Sequence, residues 1–308
     1  MEPPAPAPPT PSPGPVVIVV GDVIVDVVVR PLGPFNRGSD TPSRIALTPG
    51  GSASNQAVAL AAAGAQVHLV GVVGDDDLGR AAARALVLAG VQAHLRVALG
   101  HQTGVVVAVV DASGQRSMLT DRGANLRLAA PDLGRGLLIA GRHLHLSGYE
   151  LLDEATRPAA RAALDLAFGA GMTRSVDPCS AGPLAAVGRA EFLAWTEGVE
   201  WCCANLDEGR ALTGATRPEE VLAGLRHHYR EVALTLGADG ALFSGPGTAL
   251  LHCPADRVAV VDTTGAGDAF TGTFLARRLR GEEPGAALRA ALAAAARVVG
   301  SPGARPWS

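Results

Sequence analysis

The chain has 308 residues, 48% hydrophobic and 18% charged, with a formal net charge of -3. That length can bury a core in one large domain or two small ones, and the mild acidity argues against a nucleic-acid partner, whose phosphates need clustered positive charge. All 26 basic residues are arginine, which excludes a P-loop enzyme, a protein kinase and a pyridoxal enzyme, since each needs a lysine.

Residues 1–15 are mostly proline and alanine; they cannot pack and are expected to be a disordered tail. They lack the basic start of a signal peptide. Val16–Val20 reads as a buried strand, followed by a turn at Gly21-Asp22 and a second strand to Val29. Asp22 and Asp26 interrupt this apolar run, which is too short to cross a bilayer. Arg44–Leu47 is a short strand candidate, and Gly50-Gly51-Ser52-Ala53-Ser54-Asn55 opens a helix ended by Gly64. Gln66–Val73 is a strand, and Asp75-Asp76-Asp77 caps a helix, Leu78–Leu88. Val91–Leu99 and Gly104–Val110 are strands, with a hairpin turn at Asp111–Gly114 returning along Arg116–Thr120.

From Arg142 onward strands and helices alternate. Arg142–Leu146, Thr173–Val176, Trp201–Ala204 and Glu231–Leu236 are strands; Glu154–Gly169, Leu206–Leu212 and Pro218–His228 are helices. Ala241–Phe243, Ala249–His252 and Arg257–Val261 read as strands, and two alanine-rich helices, Gly267–Leu279 and Pro284–Val299, follow. The alternation predicts an α/β fold: a doubly wound, mainly parallel sheet with helices on both faces, as a single domain over residues 16–308. The hairpins near Arg44–Leu47 and Val91–Val110 break the rhythm and are expected to form a small β lid, drawn from about residues 30–48 and 91–122.

Cys179, Cys202, Cys203 and Cys253 show no Cys-x-x-Cys spacing, so neither a zinc site nor a disulfide framework is expected. They read as small buried residues of a reducing compartment, the cytoplasm. His143 and His145 alternate and should share one face of a strand; none of the eight histidines has ligand spacing.

The stretch Asp262-Thr263-Thr264-Gly265-Ala266-Gly267-Asp268-Ala269-Phe270 puts a glycine-punctuated turn between a strand-like run and a helix. Such a turn lets successive N–H groups converge on an anion, and the helix terminus adds partial positive charge. Asp268 there is either a good first-turn helix residue or a base beside the anion hole. Polar or glycine-rich clusters stand at other strand ends too: Asp22 to Asp26, Gly50–Asn55, Asp177, Asn205–Glu208 and Thr235–Gly240. Ligands gather at that end of doubly wound sheets. Each residue also has a structural reading. Asp22 can be a turn residue, Asn55 a helix cap, Asp177 a strand end, Tyr149 a packing residue and Arg122 a solvated charge.

Gly50–Ala57, with Leu60 and Gly64, resembles the first signature of the ribokinase-like (PfkB) carbohydrate kinases, and Asp262–Phe270 resembles the second. Asn205-Leu206-Asp207-Glu208 is similar to the family's Asn-x-x-Glu motif, and Thr235–Gly240 to its nucleotide loop. These come in the family's order and cover roughly Val16 to Arg305. The resemblance implies an ATP-dependent kinase acting on a hydroxymethyl group of a sugar or sugar-like molecule. Asp268 would be the general base, with Gly265, Ala266 and Gly267 as the anion hole. Thr235, Gly237, Gly240 and Thr264 would hold nucleotide; Asp26, Gly50, Gly51 and Asn55 would hold substrate. Asn205 and Glu208 would position Mg²⁺ through water. Asp262 and Thr264, with Arg297–Gly303 opposite, would stand where the family holds K⁺. Ribokinases usually carry a lysine where Ser52 stands, which argues against ribose and leaves fructose, a keto-deoxy sugar acid or a nucleoside open. A nucleoside kinase of the same family is the alternative, and a non-catalytic sugar- or nucleotide-binding regulator the reading from another class. With no nucleophile expected at the anion hole, transfer would be direct. No membrane contact is expected, and a homodimer through an exposed lid edge is.

Overall fold

The computed structural model describes residues 14–110, 116–134 and 136–301. Most of the expected Pro/Ala tail, the turn Asp111–Gly114 and the far end of Arg297–Gly303 lie outside the described residues. Pro15 is already tied down: its carbonyl accepts from Gln66 N at 2.9 Å.

The chain starts with β1 (Val16–Val20), β2 (Ile24–Pro31) and β3 (Ser43–Gly50), then α1 (Ser52–Ala62), β4 (Gln66–Gly74), α2 (Asp77–Leu88) and β5 (Val91–Ala98). Next come β6 (Gly104–Val110), β7 (Arg116–Asp121), β8 (His143–Ser147), α3 (Tyr149–Leu152), α4 (Arg157–Gly169) and β9 (Thr173–Asp177). Then follow α5 (Ala181–Val187), α6 (Arg189–Trp195), β10 (Trp201–Asn205), α7 (Leu206–Thr213), α8 (Pro218–Arg226) and β11 (Glu231–Thr235). The last elements are β12 (Ala241–Gly245), β13 (Thr248–Cys253), α9 (Ala266–Leu279) and α10 (Pro284–Val299).

The large sheet has the order β13-β12-β11-β10-β9-β8-β1-β4-β5. From β5 to β11 every pairing is parallel; β12 and β13 close that edge antiparallel. Helices cover both faces. Leu144, Leu146, Val176 and Val232 pack with α4 to α8 on one side, whereas Val17, Val19, Leu69 and Ala233 pack with α1, α2, α9 and α10 on the other. A strand covered on both faces has no water-facing side, which is why β1 is the unbroken run VVIVV.

The small sheet has the order β3-β2-β6-β7. Two expectations about strands need correction. Val91–Ala98 was assigned by its alternation to the small sheet, but as β5 it pairs in parallel with β4 at the edge of the large one. It leaves α2 as the second strand of a right-handed βαβ crossover, and an edge strand is half-exposed wherever it sits. In its place β2 joins the small sheet, pairing antiparallel with β3 and parallel with β6. Arg257–Val261 is not a strand: β13 already ends the sheet, and this segment crosses the helical face, with Val261 and Asp262 N–H groups donating to Val299 O. The alanine-rich helices α5 and α6 were not legible as separate elements. No helix among the described residues is long and apolar enough to cross a membrane.

Candidate active site

The strand order reverses at β1, with β4 on one side and β8 on the other. The crevice beyond the carboxyl ends of β1 and β8 is where such a sheet binds ligands. Asp22 leaves β1 there and is neither a bare turn residue nor a free ligand. Its two carboxylate oxygens accept from Ser52 N at 3.1 Å and Ala53 N at 3.0 Å, capping α1 from across the chain. Gly51 makes this possible: it sits at φ 90, and a Cβ would stand 2.7 Å from Asp22 O.

Asp268 lies in the first turn of α9, after Gly265 at φ 75. Its Oδ1 accepts from Ser52 Oγ at 2.7 Å and Gln56 Nε2 at 3.1 Å, and its Oδ2 accepts from Asn55 Nδ2 at 3.0 Å. Three residues of α1 therefore hold one carboxylate of α9. The crossing is close because α9 has Gly272 there, where a Cβ would lie 2.6 Å from both Ala59 Cβ and Gln56 O. Burial pushes the Asp268 carboxyl up to about 7, reinforced by the negative Asp177 and opposed by the bonds from Ser52 and Asn55. The Ser52 hydroxyl thus stands against Asp268, a contact the sequence did not suggest.

Asp177 ends β9. It accepts from Gln56 Nε2 at 2.7 Å, Thr271 Oγ1 at 3.3 Å and Cys179 N at 2.8 Å. Cys179, at φ 69, is the one non-glycine residue with a left-handed backbone among those described. Burial raises its thiol, so it is not a thiolate at neutral pH. Burial likewise raises both Asp177 and Glu208, two carboxylates that repel each other.

Asn205 and Glu208 form a reciprocal cap at the start of α7. Asn205 N donates to Glu208 Oε2 at 2.9 Å, Asn205 Nδ2 donates to Glu208 Oε1 at 2.5 Å, and Glu208 N donates to Asn205 Oδ1 at 2.9 Å. Both face a cavity of about 90 Å³ shared with Asp177 and Asp268. No cluster of three His, Cys, Asp or Glu among the described residues can hold a metal directly. Mutually repelling acids around a small polar cavity, with no direct cage, fit a hydrated divalent cation.

Beside it lies a cavity of about 340 Å³ between the small sheet and the site, lined by Asp22, Asp26, Asn55, Arg122, Tyr149 and Asp268, among others. Gly50 leaves room for Asp26, whose carboxylate would be 2.4 Å from a Cβ there. Asn55 lines the cavity but gives its amide to Asp268. Arg122 is not a solvated charge. Its Nη2 donates to the buried Glu150 Oε1 at 2.9 Å, and its guanidinium lies 5.2 Å from the Tyr149 ring centre. Arg122 Nε and Glu150 Oε2 have no hydrogen-bond partner among the described residues. Burial pushes Glu150 up to about 7, against the pull of Arg122.

A third cavity, about 700 Å³, is lined by Thr235, Gly237, Gly240, Ala266 and Gly267, with apolar walls from Val258 and Phe270. The stretch Thr263–Asp268 is thus a common wall: Gly265 and Asp268 face the 340 Å³ cavity, and Ala266 and Gly267 the 700 Å³ one. Thr264, expected on the nucleotide side, lines the 340 Å³ cavity with Asp268 and not the 700 Å³ one. Asp262 Oδ1 accepts from Thr264 N at 2.9 Å and Oγ1 at 2.7 Å, and Arg30 Nη2 comes within 3.6 Å of Oδ2. The half-exposed Arg30 guanidinium thus faces the carboxylate that the resemblance put beside K⁺.

Sequence reading passed over Ser52 and Gln56 as partners of Asp268. A polar residue at each of positions 52, 55 and 56, four apart or fewer on one helix face, was the available signal.

Residues 16–308 match the pfkB family carbohydrate kinases. A 2-dehydro-3-deoxygluconokinase of Thermoproteus tenax is 34% identical over 264 residues, 81% of this chain and 79% of its own. An ATP-dependent ribose-1-phosphate kinase of Halopiger xanaduensis is 33% identical, over 83% and 82% of the two chains. The crystal structure of adenosine kinase from Sinorhizobium meliloti superposes with a TM-score of 0.86 at 25% identity, covering 96% of this chain and 97% of that one. With the matching model spanning nearly the whole chain, this protein belongs to the pfkB family of carbohydrate kinases.

Proposed function

We propose that the chain transfers the γ-phosphoryl group of ATP to a hydroxymethyl group of a sugar or sugar-like small molecule. The observation that carries the reading is the common wall: Asp268 and the N-terminus of α9 stand where the two larger cavities meet. Nucleotide would lie in the 700 Å³ cavity along Thr235, Gly237 and Gly240, and the acceptor in the 340 Å³ cavity along Asp26, Gly50, Gly51 and Asn55. Backbone N–H groups of Gly265, Ala266 and Gly267 would receive the charge that develops on the phosphoryl oxygens. Asp268 would take the proton of the acceptor hydroxyl, in the way it now accepts from Ser52 Oγ at 2.7 Å. Asn205 and Glu208 would hold Mg²⁺ through water, where it would neutralise phosphate charge.

Ser52 permits a second, covalent reading, in which its hydroxyl attacks the γ-phosphorus as ADP leaves and the phosphoserine then passes the phosphoryl group to the acceptor hydroxyl. Ser52→Ala separates the two: direct transfer predicts a loss of about 10- to 100-fold, the cost of one lost hydrogen bond to a charged group. A loss as deep as that of an Asp268 variant would favour the covalent route.

ATP consumption measured with 2-dehydro-3-deoxygluconate, ribose 1-phosphate, fructose and adenosine tests the function. Turnover with at least one of them is expected; adenosine alone as acceptor would make the chain a nucleoside kinase, and no stimulation by any would sink the proposal. The pH dependence carries a sign. Asp268 must be ionised to act, and its carboxyl sits near 7. Acceptor kcat/KM should therefore fall as pH drops through about 7, by about ten-fold per unit at lower pH. A flat profile down to the ordinary carboxylate range would show that Asp268 is not the base.

A further inference from the structure

Beneath Asp268 a column of polar side chains runs through the apolar core. β8 and β9 are parallel neighbours in the register His143↔Thr173, His145↔Ser175, Ser147↔Asp177. Alternate residues share a face, so these six point toward α1 and α9, while Leu144, Leu146 and Val176 point into the opposite core. They make a continuous chain. Thr173 Oγ1 is 2.8 Å from His143 Nδ1, and His143 Nε2 is 2.7 Å from Ser175 Oγ. Ser175 Oγ is 2.7 Å from His145 Nδ1, and His145 Nε2 is 2.7 Å from Gln56 Oε1. Gln56 Nε2 then reaches Asp177 at 2.7 Å and Asp268 at 3.1 Å. Gln56, His145 and Ser175 are fully buried, His143 is 2% exposed, and only Thr173 meets solvent.

The chemistry of the end group sets the direction of every bond. Two carboxylate oxygens meet Gln56 on one side, so its amide nitrogen faces them and its oxygen must accept from His145 Nε2–H. His145 is neutral, burial holding its ring down at about 3, so Nδ1 is an acceptor and Ser175 donates to it. Ser175 accepts from His143 Nε2–H, and Thr173 donates to His143 Nδ1. Each donor thus points toward the site. A glutamine amide does not pass protons on, so the column orients and polarises rather than conducts. Two histidines and a glutamine buried beside Val17 and Val19 of β1 are a costly choice for stability alone, since an apolar column would fill the same space.

We propose that His145, locked by Ser175 and His143, is a positioning residue for phosphoryl transfer: it fixes the Gln56 amide so that its N–H groups hold the Asp268 and Asp177 carboxylates side by side. Reversal of that amide would turn its oxygen on both carboxylates and displace the base. The inference rests on Asp268 being the base.

Two measurements test it. With whichever of the four acceptors above is turned over fastest, His145→Leu should lower kcat about ten-fold with both KM values within about two-fold, the upper end for the loss of one neutral hydrogen bond. His145→Gln, whose amide nitrogen reaches where Nε2 was, should restore kcat to within about three-fold of the natural chain. Both variants lose the ring's packing and should lose similar Tm, so a purely structural role predicts equal kcat losses. Equal losses, an unchanged kcat in His145→Leu, or a loss carried by KM would overturn the proposal. If Asp268→Asn is inactive while His145→Leu is normal, only this inference fails; if Asp268→Asn turns over normally, the base reading fails first. Histidine ¹⁵N NMR needs no acceptor. His143 and His145 should both be neutral Nε2–H tautomers at neutral pH, and Ser175→Ala should release His143, whose Nε2–H loses its acceptor, to a mixture while His145 stays Nε2–H on Gln56 Oε1. An Nδ1–H tautomer at His145 in the natural chain would overturn the assignment.

Discussion

Asp268→Asn is expected to lower turnover by about three orders of magnitude, the middle of the range for a general base, with nucleotide affinity within about two-fold. The fold should survive. The new amide can keep its oxygen toward Ser52 and Gln56 and set its nitrogen toward Asn55, whose own amide can turn to accept. The variant should be at least as stable as the natural chain, because a raised carboxyl beside Asp177 is a folded-state cost that the substitution removes. Steady-state kinetics, ATP titration and a thermal melt read the three parts separately. Near-normal turnover would refute the base assignment.

Two glycines five residues apart on α9 should fail in opposite ways. A Cβ at Gly267 meets nothing within 4 Å, so the fold does not need glycine there. Gly267→Leu should leave Tm within about 1 °C, as a surface change does, and fill the wall shared by two cavities. Turnover should fall about 10²-fold or more, as when an anion-hole donor is lost. Gly272→Val instead drives a branched side chain into Ala59 and the Gln56 backbone. Overpacking of that kind costs about 3 kcal/mol, and Tm should drop by roughly 5 °C. Normal turnover in Gly267→Leu would remove the anion hole from the reading. A normal melt in Gly272→Val would show that α1 and α9 can part without loss.

Much of the fold was legible because its signals are local. The apolar run Val16–Val20, the cap at Asp76 and the alternation after Arg142 each depend on neighbours in the chain, and the structure has β1, α2 and the parallel core there. The errors came where one local pattern serves two environments. Alternation in Val91–Ala98 suits a small sheet or the edge of a large one, and only its pairing with β4 distinguishes them. The β-branched run Arg257–Val261 has strand composition but no strand left to pair with.

The candidate site divides in the same way. Sequence alone determined the glycine turn ahead of α9, Asp268 in its first turn and the start of α7 at Leu206, since each is set within a few residues. Tertiary structure alone decided what Asp268 touches. Ser52 is 216 positions away, Gln56 is 212, and Gln56 reaches Asp177 across 121. His143 and His145 could be placed on one face of a strand, but their partners depend on which strand lies alongside and which helix covers it. Turns and caps follow from backbone geometry over one helical turn or less. The environment of a buried carboxylate follows from how distant surfaces pack, and that is set by the whole core at once.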